Sequence, residues 1–225
     1  MPDLSPAPVV AAAPSTDGRS LPLPIIYALF LVSGAAALLY QVVWQRSLFA
    51  LYGVNVEAVT IVVSAFMLGL GLGSFAGGKL SKVPGAPLPL WFGLVELGIG
   101  LFGLISLQLF HAVGEATAGA EGLATFLLSF GLVLVPTLLM GSTLPMLVAY
   151  SVRTSHNVGK SVGMLYFINT LGSAVASIAA GIWILGHLGQ SGSVLLAAGG
   201  NLLVGGLVLA WWFGGGRAKA APAVA

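Results

Sequence analysis

The sequence contains no cysteine in its 225 residues, so neither a disulfide framework nor a thiolate metal site is open to it. Charge is nearly as scarce. Asp, Glu, Lys and Arg make up 6% of the chain, against about 25% in a soluble domain whose surface must be wetted. So few charges cannot cover a globular surface of this size, which excludes an ordinary soluble domain. The net charge of +2 is too small to suggest nucleic acid, and none is expected as a partner. His111, His156 and His187 are scattered without ligand spacing, so no metal and no cofactor is expected. Residues 1–21 are too polar for the apolar core of a signal peptide.

What the chain has in excess is apolar surface and glycine. Hydrophobic residues reach 58% and mean hydropathy is +1.04. The 32 glycines fall mainly inside apolar runs, where they suit helices packed closely through small residues. A membrane-crossing helix needs about 20 apolar residues. Six segments meet that length, at about 24–44, 56–78, 89–111, 123–150, 160–185 and 191–213. The expected fold class is all-α, a polytopic membrane bundle of about six transmembrane helices. It occupies residues 22–213, between a disordered tail at 1–21 and a short tail at 214–225.

With six crossings, Arg19, Lys79, Lys82, Arg153, Lys160, Arg217 and Lys219 all fall on one side. The other side holds Glu57, Glu115 and Glu121, with Arg46 as its one basic residue. Basic residues stay cytoplasmic, so both termini are expected inside. Arg46 departs from the rule, either snorkelling outward beside Tyr40 and Trp44 at the interface or pairing with Glu57.

The second segment carries Gly69, Gly73 and Gly77, a small residue at every fourth position. The fifth carries Gly172, Ala176 and Ala180 in the same spacing. Each follows a polar, Arg-bearing stretch, at 41–46 and 143–153. Three helices followed by three like them form a 3+3 inverted repeat, as in transporter halves. Shared glycine-rich composition is the competing account.

Three features bear on chemistry. The run Gly69-Leu-Gly-Leu-Gly-Ser74 has the glycines of a nucleotide loop, but a loop of that kind needs a strand before it and a helix opening after it. Here it sits inside an apolar helix and reads as close packing. Glu96 lies inside the third segment, where an ionisable side chain marks a functional site or a paired interior position. Its expected neighbours are Asn169 and Thr170. The fourth segment holds Pro136, Gly141 and Pro145, each proline removing a backbone donor. The expected break either lines a site or is a plain kink, with Ser142 and Thr143 nearest to the freed carbonyls.

Four strings in order resemble a known family: Leu39-Tyr-Gln-Val-Val-Trp-Gln-Arg46, Phe66-Met-Leu-Gly-Leu-Gly-Leu-Gly-Ser74, Leu139-Met-Gly-Ser-Thr-Leu-Pro145 and Tyr166-Phe-Ile-Asn-Thr-Leu-Gly-Ser173. Leu94-Val-Glu-Leu-Gly-Ile-Gly100 fits with them. Together they are similar to the membrane domain of bacterial spermidine synthase-like membrane proteins, a fused major-facilitator-like and spermidine synthase family. The resemblance implies a bacterial inner membrane and a bundle like one half of a major-facilitator transporter. In the family an aminopropyltransferase domain follows the helices. No residue here matches it, so no catalytic residue carries over and no enzyme is expected.

Two functions follow as expectations. The first is a non-enzymatic subunit packed against a partner protein or within a larger membrane complex. The second is a small transporter or ligand-binding bundle acting as a homodimer, with Glu96, Asn169, Thr170 and Asn201 around a polyamine or other cation.

Overall fold

A computed structural model describes residues 20–119 and 122–216. All secondary structure among them is helical: α1 (Leu23–Tyr52), α2 (Asn55–Ser81), α3 (Leu88–Ala116), α4 (Gly122–Ser155), α5 (Val158–Ala179) and α6 (Leu185–Trp211). A π-helical turn, Ala180–Ile184, joins α5 to α6, and a second, Trp212–Gly216, ends the described chain. Most of the expected tails lies outside the described residues, as do Arg19, Glu121, Arg217 and Lys219.

The helix ends follow from local chemistry. Proline stands in the first turn of α1 and of α3, where its missing N–H would have no partner in any case. Gly53 stops α1 in the left-handed conformation, φ 69°, which a side chain disfavours. Asn157 caps α5 by accepting the Lys160 amide at 2.9 Å.

Five helical stretches are long and apolar enough to cross a membrane, the fifth being Val158–Gly215 with 58 residues. As a straight helix it would be about 87 Å long, against about 30 Å of bilayer hydrocarbon. It is not straight. Gly189 has φ 63° and ψ −170°, and the stretch folds back there. Asn169 Nδ2 reaches the Phe30 carbonyl at 3.4 Å, while a Cβ on Gly200 would lie 3.3 Å from Val32 Cγ1. Residues 169 and 200 thus meet the same turn of α1 from two separate limbs.

Register fixes the helix directions. α1 and α3 run parallel: Ser33 bonds Glu96, Trp44 bonds Ser106, and Leu51 abuts Gly114. α1 and α5 also run parallel, through Phe30–Asn169 and Gly34–Ser173. α6 opposes α1 and α3, through Gln190–Ser47, Asn201–Glu96 and Leu209–Gly93. α2 and α4 run parallel to each other, through Ala65–Thr137 and Ser74–Gly141. The turn at Gly53 sends α2 back along α1. The most extensive contacts are α2 on α4, α3 on α6 and α1 on α5.

Two expectations change. Tyr40 and Trp44 are not interfacial: both are fully buried, with their rings stacked at 4.9 Å. The reason is length, since α1 runs two further turns to Tyr52. The fourth segment is not broken either, because α4 continues through Pro136 and Pro145 as one helix of 34 residues. Pro145 removes the donor for the Gly141 carbonyl, and Ser74 Oγ of α2 donates to it at 3.0 Å. Ser142 and Thr143 donate instead to Leu139 and Met140.

Glycine makes the α2–α4 contact possible. A Cβ on Gly141 would sit 2.5 Å from the Leu70 carbonyl oxygen, and Gly69, Gly73 and Gly77 abut Thr137, Leu138 and Ser142 in turn. Gly141→Ala should therefore lower stability by about 1–3 kcal/mol, the cost of overpacking. Gly71→Ala, which meets nothing within 4 Å, should leave it unchanged or raise it. Thermal unfolding in detergent checks both, and equal midpoints for the two variants would contradict this packing.

Candidate functional site

Glu96 is fully buried at the α1–α3–α6 junction. Ser33 Oγ donates to its Oε1 at 2.6 Å, and Asn201 Nδ2 donates to its Oε2 at 2.6 Å. A buried carboxyl survives only with such partners. Asn201 is itself buried, and its Oδ1 has no hydrogen-bond partner among the described residues. The buried Tyr40 hydroxyl also has none. It lies against Gly103, two turns along α3 from Glu96.

The structure thus joins Glu96 to Asn201 but not to Asn169 or Thr170. The cause is topological: α5 packs on α1, away from the α3 face that carries Glu96. Asn169 lies over Gly34, its amide N–H on the Phe30 carbonyl. Thr170 is exposed on the outside of α5. Ser33, which the sequence reading missed, is the shared element. The signal was faint, a single hydroxyl in an apolar run two helices earlier.

Ser33 also faces a cavity of ≈ 250 Å³ bounded by α1, α2, α4 and α5. Its polar lining includes Gln41, Ser74, Thr143, Asn169 and Ser173. Glu96 and Asn201 lie behind this wall and do not line it. Pro136 and Pro145 do not line it, whereas Gly141 does.

The remaining expected residues serve packing or lie at the surface. Gly172 sits against the Leu31 carbonyl and Ala35 of α1, with Ala176 and Ala180 buried further along. Arg46 and Glu57 are both exposed, and no hydrogen bond joins them. Arg153, by contrast, donates to the Ser81 and Ala86 carbonyls at 3.2 Å each, tying α4 to the α2–α3 link. Among the described residues no His, Cys, Asp and Glu cluster could hold a metal.

Hydrogen bonds between membrane helices average about 0.6 kcal/mol, with a maximum of about 1.7. Ser33→Ala and Asn201→Leu should each destabilise the bundle within that range. Their double variants with Glu96→Gln should show coupling, read from unfolding midpoints in detergent. Strict additivity in both cycles would contradict the shared carboxyl.

Comparison with known proteins gives one informative match. The chain is 29% identical over 180 residues to "Polyamine aminopropyltransferase 2" of Streptomyces coelicolor, which covers 77% of this chain and 31% of that protein. The chain therefore spans about a third of the length of the relative it matches. No family model matches it, and no solved structure does.

Proposed function

We propose that this chain is a non-enzymatic membrane subunit: six crossings arranged as a 3+3 inverted repeat, like one half of a major-facilitator transporter, packed against a partner protein. On this reading the limbs on either side of Gly189 are two crossings. Both termini are then cytoplasmic by the distribution of Lys and Arg, and the membrane is a bacterial inner membrane.

The repeat is supported by recurring contacts. A shift of 107 carries α1 onto α4 (31 to 138, 34 to 141), and a shift of 99 carries α2 onto α5 (70 to 169, 73 to 172, 74 to 173). Ser74 Oγ donates to the Gly141 carbonyl at 3.0 Å, and its counterpart Ser173 donates to the Gly34 carbonyl at 2.9 Å. Gly73 abuts the Leu138 carbonyl, and Gly172 abuts the Leu31 carbonyl. A shift of 105 relates α3 to α6. Gly100 meets Leu202 and the Ala198 carbonyl, while Gly205 meets Leu97 and the Gly93 carbonyl. The same shift carries Glu96 onto Asn201, so their hydrogen bond lies on the pseudo-twofold axis. Composition alone does not reproduce contacts atom by atom.

The observation that carries the subunit reading is the α1/α2/α4/α5 face. Gln41, Asn169 and Ser173 are half-buried there, and Tyr166 is 64% exposed, in the middle of helices long enough to span the bilayer. Polar groups at that depth face protein or a water-filled cavity rather than lipid. The relative's name supports a division of labour. Aminopropyl transfer is named for a protein of which this chain matches 31%, and the helices would supply its membrane part. A second reading, a ligand-binding or transporting bundle that pairs as a dimer, is favoured by one contact: Ser33 connects the cavity directly to buried Glu96.

Because the chain has no native cysteine, single-cysteine variants test the face directly. Tyr166→Cys should cross-link in membranes to another subunit, or to a second copy if the dimer reading holds. Leu101→Cys, 57% exposed on α3, should not. Equal labelling of both by a lipid-soluble reagent, with no cross-link from either, would overturn the covered face. The repeat has its own test. On this repeat the α1 residue Ser33 corresponds to Met140 on α4, which has no hydroxyl, and the Asn201 Oδ1 has no partner among the described residues. Met140→Ser should therefore be more stable than Met140→Ala by about 0.6 kcal/mol. A serine variant no better than alanine argues against the axis.

A further inference from the structure

We infer that the cavity bounded by α1, α2, α4 and α5 binds a small organic cation that carries N–H donors, a primary ammonium rather than a quaternary one. The inference rests on the ligand-binding reading above and is carried by which hydrogen-bonding groups the wall leaves free.

A hydroxyl has one proton to donate and two lone pairs to accept with. Around this cavity the serine and threonine protons are already engaged. Ser33 donates to Glu96, Ser74 to the Gly141 carbonyl and Thr143 to the Met140 carbonyl at 2.7 Å. Ser173 donates to the Gly34 carbonyl at 2.9 Å. Asn169 points one of its two N–H groups at the Phe30 carbonyl, and a carbonyl there fixes the amide orientation. What these five side chains keep uncommitted is mostly lone pairs, on four hydroxyl oxygens and the Asn169 Oδ1, against a single remaining N–H on Asn169. Free donors remain on Gln41, on Tyr166, which is largely exposed, and on the second Asn169 N–H.

A wall of acceptors selects an occupant made of donors. A neutral alcohol brings one donor and competes with its own lone pairs. A carboxylate or phosphate brings acceptors only and is repelled. A primary ammonium brings three N–H groups and no acceptor. The charge is answered through Ser33, whose hydroxyl separates the cavity from Glu96 by a single group. Volume decides between an organic cation and a bare metal ion. At ≈ 250 Å³ the space equals roughly eight waters at about 30 Å³ each, far more than one alkali ion fills. The apolar part of the lining, Phe30, Ala37, Phe66 and Leu144, suits a short alkyl chain.

The test is isothermal titration of the full chain in lipid nanodiscs, in whatever oligomeric state it adopts there. n-Propylammonium should bind saturably. Tetramethylammonium, with the same charge and no N–H, and 1-propanol, with no charge, should each bind at least tenfold more weakly. Thr143→Val keeps the side-chain shape and removes one lining oxygen, and should weaken n-propylammonium at least tenfold. Asn169→Leu should do the same. Thr60→Val, which removes an exposed intrahelical hydroxyl bond on the outside of α2, should leave binding unchanged, and an unchanged unfolding midpoint for Thr143→Val shows that its effect does not act through folding. Equal binding of the primary and quaternary cations, binding of sodium in preference to both, or no binding to folded protein would each overturn the inference. The partner reading fails separately. A chain that stays monomeric and still binds the primary ammonium retires that reading alone, and one that assembles but binds nothing retires this one alone.

Discussion

The bundle depends on contact between helix backbones with no side chain interposed. α2 and α4 touch through Gly69, Gly73, Gly77 and Gly141, and α1 and α5 through Gly34 and Gly172. In water such a contact would be a poor use of buried surface. Within lipid the alternative to helix–helix contact is already apolar, so association relies on close packing and interhelical hydrogen bonds. Glycine supplies both. It brings carbonyls within reach of a neighbouring helix, and the serine beside it, Ser74 or Ser173, then donates across the gap. Close approach and the hydrogen bond are one device.

The same device explains how α4 passes through Pro145 intact. A proline inside a helix frees a carbonyl one turn back, and a freed carbonyl in lipid is costly. For Pro145 that carbonyl belongs to Gly141, at the point where α2 comes nearest. Ser74 meets it from the other helix, and α4 continues without a break.

Much of this was legible in the sequence because it rests on spacing. Runs of about 20 apolar residues gave the helical segments, and the four-residue period of small residues marked Gly69, Gly73 and Gly77 on one face of α2. What stayed hidden depends on long-range register. Trp44 looked interfacial because the apolar run seemed to stop near it, yet polar Gln45, Arg46 and Ser47 are carried two turns short of the true end of α1. Glu96 stood out as a lone acid, but its partners Ser33 and Asn201 are set by which helices flank α3, and no local pattern encodes that. Thr170 looked available by depth alone, and its helix packs elsewhere. Gly189 falls in the gap between the apolar runs at 160–185 and 191–213, while its left-handed φ is a property of the three-dimensional path.

The central pair illustrates what symmetry permits. On the proposed repeat, Glu96 and Asn201 are counterparts that meet across the axis relating the two halves. Identical residues at such a position must bond to their own kind. Two carboxylates there would repel one another, and two apolar residues would leave Ser33 without an acceptor. A carboxyl facing an amide resolves this, one side accepting what the other donates. Once the axis pair has diverged, its surroundings diverge with it. Ser33 adds a second donor to the acid, and its counterpart on the proposed repeat, Met140, has no proton to offer the amide oxygen. On that repeat, the departure from symmetry at the bundle centre follows from giving one half a buried acid and the other half none. On the same proposed repeat, only the half that carries α1 faces the cavity with a hydroxyl backed by a carboxyl.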